Sequence, residues 1–77
     1  MTVTVLFFGP LIDVTGIRML VVEDVTDTDG LTKHLHARYP TLVKAQYLLA
    51  VDKEITHENT TLKNNETIAL LPPYAGG

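Results

Sequence analysis

Glu66-Thr67-Ile68-Ala69-Leu70-Leu71-Pro72-Pro73-Tyr74-Ala75-Gly76-Gly77 is the stretch on which the reading of this chain turns. Its first half is a strand. Ile68 and Leu70 share one face, while Thr67, Ala69 and Leu71 share the other. Pro72 and Pro73 then fix φ and remove two N–H donors, so strand pairing stops there and the course stays extended. Gly76 and Gly77 carry no Cβ and reach backbone angles closed to other residues. Residues 72–77 form a thin tail that spans roughly 20 Å when extended, at ~3.3 Å per residue. Such an end can thread a narrow channel and present an unhindered carbonyl carbon. An ordinary frayed terminus accounts for Gly-Gly alone. A strand followed by Pro-Pro-x-x-Gly-Gly favours a working tail instead.

Working back from this strand, Thr2-Val3-Thr4-Val5-Leu6-Phe7-Phe8 is rich in β-branched and aromatic residues and reads as a strand ended by Gly9-Pro10. The segment 11–16 is open between a helical turn and a loop. A second strand covers 17–23, with Ile17, Met19 and Val21 on one face. Asp27 or Thr28 caps a helix whose apolar positions are Leu31, Leu35 and Tyr39, spaced i, i+4, i+8. Pro40 ends it, and Leu42 and Val43 pack as the chain turns back. A third strand covers 47–51, and Ile55 anchors a short edge strand. Leu62 pins a polar loop to the core. Asn64-Asn65 is a turn, because asparagine tolerates the left-handed region.

The order β-β-α-β-(β)-β predicts an α+β domain over residues 1–77, with a mixed sheet packed on one main helix. The first two strands form a hairpin, and the last lies beside the first and parallel to it. This is the β-grasp, or ubiquitin-like, arrangement. Alternation turns Val3, Val5 and Phe7 toward the helix together with Leu31, Leu35, Ile68 and Leu70. It leaves Leu6, Phe8, Ala69 and Leu71 on the opposite face beside the root of the tail. Either those four form an exposed partner-binding patch, or the segment 11–16 folds over them.

Composition narrows the function. The chain has 77 residues, 45% of them hydrophobic, which is enough for one small core. It has no cysteine, which excludes disulfides, thiolate metal sites and thiol nucleophiles. The net charge is −3 with no basic run, so nucleic acid is not an expected partner, and an acidic surface suits a basic one. No apolar run has membrane-spanning length and no signal peptide is evident, so the expected compartment is the cytoplasm and no membrane partner is expected. His34 and His36 point about 200° apart on the predicted helix and cannot share a metal ion; they read as solvated. His57 stands alone. Glu23, Asp24, Asp27 and Asp29 cluster near a helix start, where the helix dipole favours them, and no triad partner accompanies them. No metal site is expected. The best candidate for a reacting group is the carboxylate of Gly77.

Val5-Leu6-Phe7-Phe8-Gly9, the helix 31–40 ending Arg38-Tyr39-Pro40, Ala50-Val51-Asp52 and above all Pro72-Pro73-Tyr74-Ala75-Gly76-Gly77 give the chain a specific resemblance. It resembles the MoaD/ThiS family of ubiquitin-like sulfur carriers, and within it the branch of the molybdopterin synthase small subunits. The likeness covers essentially the whole chain, and the terminus is its specific part. Asn64-Asn65 stands where the family often has Asp-Gly, Leu70 or Leu71 where it often has an aromatic, and Leu11-Ile12-Asp13 offers no counterpart to a family arginine. Any contact of that arginine is therefore not carried over.

The resemblance implies a mechanism. A partner enzyme adenylates the Gly77 carboxylate with ATP, and the acyl-adenylate becomes a thiocarboxylate. Both are transient covalent states, and no permanently bound cofactor is implied. Gly76 keeps the approach narrow. The tail enters the large synthase subunit and gives sulfur to a cyclic pyranopterin phosphate, building the dithiolene of the molybdenum cofactor. Leu6, Phe8, Ala69, Leu71, Pro72, Pro73, Tyr74 and Ala75 would bind the partners. The chain would then be one half of a two-subunit sulfurtransferase, not an enzyme by itself. Other readings are a carrier for thiamine, cysteine or tRNA thiolation, a ubiquitin-like modifier that forms isopeptide bonds, and a binding module that uses only the patch.

Overall fold

The computed structural model describes residues 1–73; Tyr74, Ala75, Gly76 and Gly77 lie outside the described residues. The elements are β1 (Thr2–Phe7), α1 (Pro10–Thr15), β2 (Met19–Glu23), α2 (Thr28–Arg38), a 3₁₀ helix (Pro40–Lys44), β3 (Leu48–Val51), β4 (Glu54–Thr56) and β5 (Thr67–Leu71). The sheet order is β2-β1-β5-β3-β4. β1 and β2 form an antiparallel hairpin, and β5 runs parallel to β1 and antiparallel to β3. This is the expected β-grasp, with the last strand in the middle of the sheet.

Period-2 alternation produces the core. Along β1 the side chains of Val3, Val5 and Phe7 are buried, and those between them are half-buried. Val22, Ile68 and Leu70 join them from the neighbouring strands, and Leu31 and Leu35 press on them from α2. Each such side chain contributes about 1.5–3 kcal/mol relative to full exposure. Leu62 is also buried, so its loop is pinned as expected. Tyr39, the last residue of the helical stripe, is half-buried and meets Phe7 edge-on, with ring centroids 6.2 Å apart.

Asp27 starts α2. Its Oδ1 accepts the Gly30 N–H at 2.8 Å, satisfying one of the free donors of the first turn. Asn59 Oδ1 accepts the Asp29 N–H at 2.9 Å, and the Thr60 N–H donates to Thr28 Oγ1 at 2.9 Å. The loop before β5 is thereby tied to the helix start. At the other end Tyr39 has φ −126° and ψ 81°, the non-helical conformation that a following proline imposes.

Several expectations need correction. The segment 11–16 is helical within α1. Gly16 closes it at φ 79°, donating its N–H to Ile12 O. Leu11 is buried with Phe7 and Leu42, so α1 covers the end of the core and does not fold over the Leu6 and Phe8 face. Six residues are too few to display a helical period, which is why the sequence left the segment open. α2 is the one main helix, as expected, and α1 and the 3₁₀ helix are short additions beside it. β1 stops at Phe7, because Gly9 turns the chain into α1. In β2 the face of Met19 and Val21 points outward; both are exposed, while Val22 is buried. Leu42 packs, but Val43 is exposed, since a 3₁₀ turn can bury only one of two adjacent side chains.

Candidate functional site

The root of the tail is built where β1 and β5 end together. The Phe8 N–H donates to Leu70 O at 3.1 Å, continuing the parallel ladder. The next rung would need a donor from residue 72, and Pro72 has none. The Phe8 carbonyl instead accepts the Leu11 N–H at 3.1 Å, at the start of α1. Two features of the sequence, a proline after the strand and a helix start after β1, thus release the chain at this point. Gly9 makes room for it. It has φ 57° and ψ −135°, and a Cβ there would lie 3.3 Å from Pro72 Cγ. Pro72 is half-buried and Pro73 exposed.

The outward face of the sheet carries a continuous apolar row. The register aligns Met19 with Leu6, Leu6 with Ala69, Ala69 with Ala50, and Ala50 with Ile55, across all five strands. Cross-strand partners point to the same side. Met19 and Ile55 are 58% and 51% exposed, so the row ends in uncovered side chains at both edges of the sheet. At its centre lies a groove of about 410 Å³. Leu6, Phe8, Thr67 and Ala69 line it, with Asp52 and Lys53 at the rim.

The sequence-predicted site residues divide accordingly. Leu6, Phe8 and Ala69 come together in the groove. Phe8 is 42% exposed, whereas Leu6 and Ala69 are half-buried. Leu71 is not among the groove-lining residues. It is half-buried and pairs with Leu48, which tempers the expectation that it stands as free as Phe8. Pro72 and Pro73 line a different, apolar cleft on the α1 side. Tyr74, Ala75, Gly76 and Gly77 lie outside the described residues. Sequence reasoning missed Met19, Val21 and Ile55 as outward apolar residues. Residues 19–22 are an unbroken apolar run with no polar alternation, so the sequence did not show which face of β2 turns outward.

Charge chemistry is sparse. His36 is half-buried, and its Nε2 lies 2.6 Å from the Tyr47 hydroxyl, so it is less solvated than its sequence suggests. Burial pushes the Tyr47 phenol up from its ordinary pKa, partly offset by a hydrogen bond with Thr32. The bond from Gly30 N–H, then that from Asn59, holds the Asp27 carboxyl below the ordinary carboxylate range. Among the described residues no group of three or more His, Cys, Asp or Glu is placed to hold a metal ion. No helix among them is long and apolar enough to cross a membrane.

A β-grasp sheet with an outward apolar face, and a central strand that ends at Leu71 before Pro72, defines a ubiquitin-like architecture. The model of the ThiS family matches residues 5–77, and the chain belongs to that family. It is 35% identical to a molybdopterin synthase sulfur carrier subunit of Caenorhabditis briggsae, over 99% of this chain and 98% of that one. Its structure is similar to one in a complex of subunits 1 and 2 of the molybdopterin-converting factor from Helicobacter pylori, with TM-score 0.78, 28% identity and all of both chains covered. It also shares its fold with small archaeal modifier protein 1 of Methanosarcina acetivorans, with TM-score 0.82, 21% identity, and 99% and 96% of the two chains covered.

Proposed function

We propose that this chain is the sulfur-carrying partner of a molybdopterin synthase, with Gly77 as the residue that carries the sulfur. The observation behind the proposal is the 35% identity, across nearly the full length, to a sulfur carrier subunit of that enzyme. The Pro-Pro-x-x-Gly-Gly ending is the matching chemistry. A carboxylate is a poor acyl donor until its oxygen becomes a good leaving group. Attack of the Gly77 carboxylate on ATP releases pyrophosphate and forms an acyl-adenylate. A sulfide-level nucleophile then expels AMP and leaves a thiocarboxylate; its sulfur bonds to a cyclic pyranopterin phosphate, and water cleaves the acyl C–S bond, leaving the sulfur on the pterin and restoring the Gly77 carboxylate. The carrier supplies the reacting carbon and the docking face, and its partners supply acid–base and electrostatic catalysis.

The partners are the large synthase subunit and an ATP-dependent activating enzyme. The two-subunit Helicobacter pylori complex supports the first. Leu6, Phe8 and Ala69 are the proposed docking residues on the sheet, and Pro72 to Ala75 are the stem entering the channel. The test is intact-mass spectrometry after incubation with the activating enzyme, ATP and a sulfur source. The chain should gain the mass of one oxygen-to-sulfur exchange, located in its C-terminal peptide. Sulfur found elsewhere would end this reading. The fold shared with an archaeal modifier fits a second reading, in which the same activated terminus is attacked by lysine amines. High-mass conjugates linked through Gly77 would favour that reading.

A further inference from the structure

The two edges of the sheet, β2 and β4, differ in how they are protected. β4 has three residues and begins with Glu54. β2 has five, four of them the apolar run Met19-Leu20-Val21-Val22, and it carries no lysine, proline or bulge. Edges are normally blunted by such devices, because free N–H and C=O groups otherwise pair with another strand. The register shows which groups of β2 are free. Arg18 O accepts the Phe7 N–H at 2.9 Å, and the Asp24 N–H donates to Met1 O at 2.8 Å. Peptide groups alternate in direction along an antiparallel pair. Even-numbered residues of β2 therefore bond to β1, and Met19, Val21 and Glu23 aim their N–H and C=O at the open edge.

We infer that this edge pairs with the β2 edge of a second copy of the chain, antiparallel and centred on Val21. Centring there engages all five residues of β2 and sets every outward-bonding residue opposite another. Met19 meets the second copy's Glu23, and Val21 meets the second copy's Val21. The exposed Arg18 then falls opposite the second copy's exposed Asp24, and Asp24 opposite the second copy's Arg18. The strand is thus complementary to itself in hydrogen bonds and in charge, as a two-fold interface requires. The nearest registers that keep the bonding parity leave β2 residues unpaired and set Arg18 opposite Val22 or Thr26. The dyad is perpendicular to the sheet, so both outward faces lie on one side and the two Pro72 residues at opposite ends. No groove-lining residue belongs to β2, so both Phe8 grooves stay open. The inference is therefore independent of the functional reading. A five-residue edge buries less than the roughly 1,200–2,000 Å² of a tight complex, so the dimer exchanges with monomer.

The test is sedimentation velocity of the full-length chain over a concentration series reaching the millimolar range, with amide exchange followed at Val21. The wild type should shift from monomer to dimer, and the Val21 amide should exchange more slowly as concentration rises. Arg18→Glu sets a carboxylate against Asp24, and Asp24→Lys sets an ammonium against Arg18. Each should weaken self-association by about tenfold or more. Lys53 holds φ 74° in this chain, so lysine is tolerated at the φ of 65° that Asp24 has. An equimolar mixture of the two variants restores both opposite-charge pairs in a mixed dimer and should associate at wild-type strength, a rescue that misfolding cannot produce. If Asp24→Lys fails to fold, Arg18→Glu decides alone. A wild type that stays monomeric, folded variants that associate like wild type, or a mixture that stays monomeric overturns the inference. So does a Val21 amide protected only after a large synthase subunit is added, which would assign the edge to that partner.

Discussion

Gly9 shows how much one residue can decide. Its φ of 57° with ψ −135° belongs to a region that side chains with a Cβ rarely enter, and Pro72 stands where that Cβ would point. Gly9→Val should destabilise the fold by about 1–3 kcal/mol, read from urea unfolding. The folded fraction should also transfer sulfur more slowly, because the stem is pushed aside. The sequence showed Gly9-Pro10 as a turn and nothing more, since its contact with Pro72 joins opposite ends of the chain. The helix cap was legible to within one residue, Asp27 or Thr28, because a cap residue and the helix it starts are neighbours in sequence; the bond to Gly30 N–H assigns it to Asp27. Its carboxyl titrates below the ordinary 3.8 in the folded chain. The stability it contributes is therefore present above that value and lost as pH falls through the lowered one. Asp27→Asn retains a capping oxygen but removes the titration. The stability gap between wild type and Asp27→Asn should shrink from neutral pH to about pH 2, as measured by urea unfolding at both.

At the scale of elements, strands were easier to read than short helices. Alternation in β1 and β5 names the buried and outward residues directly, and Val3, Val5, Phe7, Ile68 and Leu70 are all buried. α1 and the 3₁₀ helix are too short to show a period, so their side of the tail root, with its cleft, was invisible. The outward row extends the patch seen in sequence to the sheet edge at Met19. Phe8→Ala and Met19→Asp should each weaken association with the large subunit about tenfold, in line with the loss of part of a 1.5–3 kcal/mol burial. Both side chains are exposed, so thermal midpoints should not fall. Binding by calorimetry alongside thermal unfolding separates the two effects.

At the scale of the whole molecule, the core and the proposed chemistry are separable. Among the described residues the buried cluster runs from Val3 to Leu70. Removing Gly77, or adding one residue after it, should leave the thermal midpoint unchanged. Either change should abolish sulfur transfer, because displacement of a reacting atom by ~1 Å can cost on the order of a hundredfold. Leu70→Ala should do the reverse. It should cost about 2–5 kcal/mol of stability, while molecules that remain folded keep a chemically intact terminus. The central place of the last strand beside the first was legible because a last strand this hydrophobic belongs inside a sheet. That order has a consequence for biosynthesis. β5 sits between β1 and β3, yet it is the last of the five strands to leave the ribosome. Until residues 67–71 clear the exit tunnel, β1 and β3 have no partner between them, and the nascent chain cannot close its sheet. Closure of the sheet thus waits on β5. Ribosome-stalled chains that retain β5 in the tunnel should show no amide protection in β1. A molecule that presents the stem at Pro72 has already passed its own test of completeness.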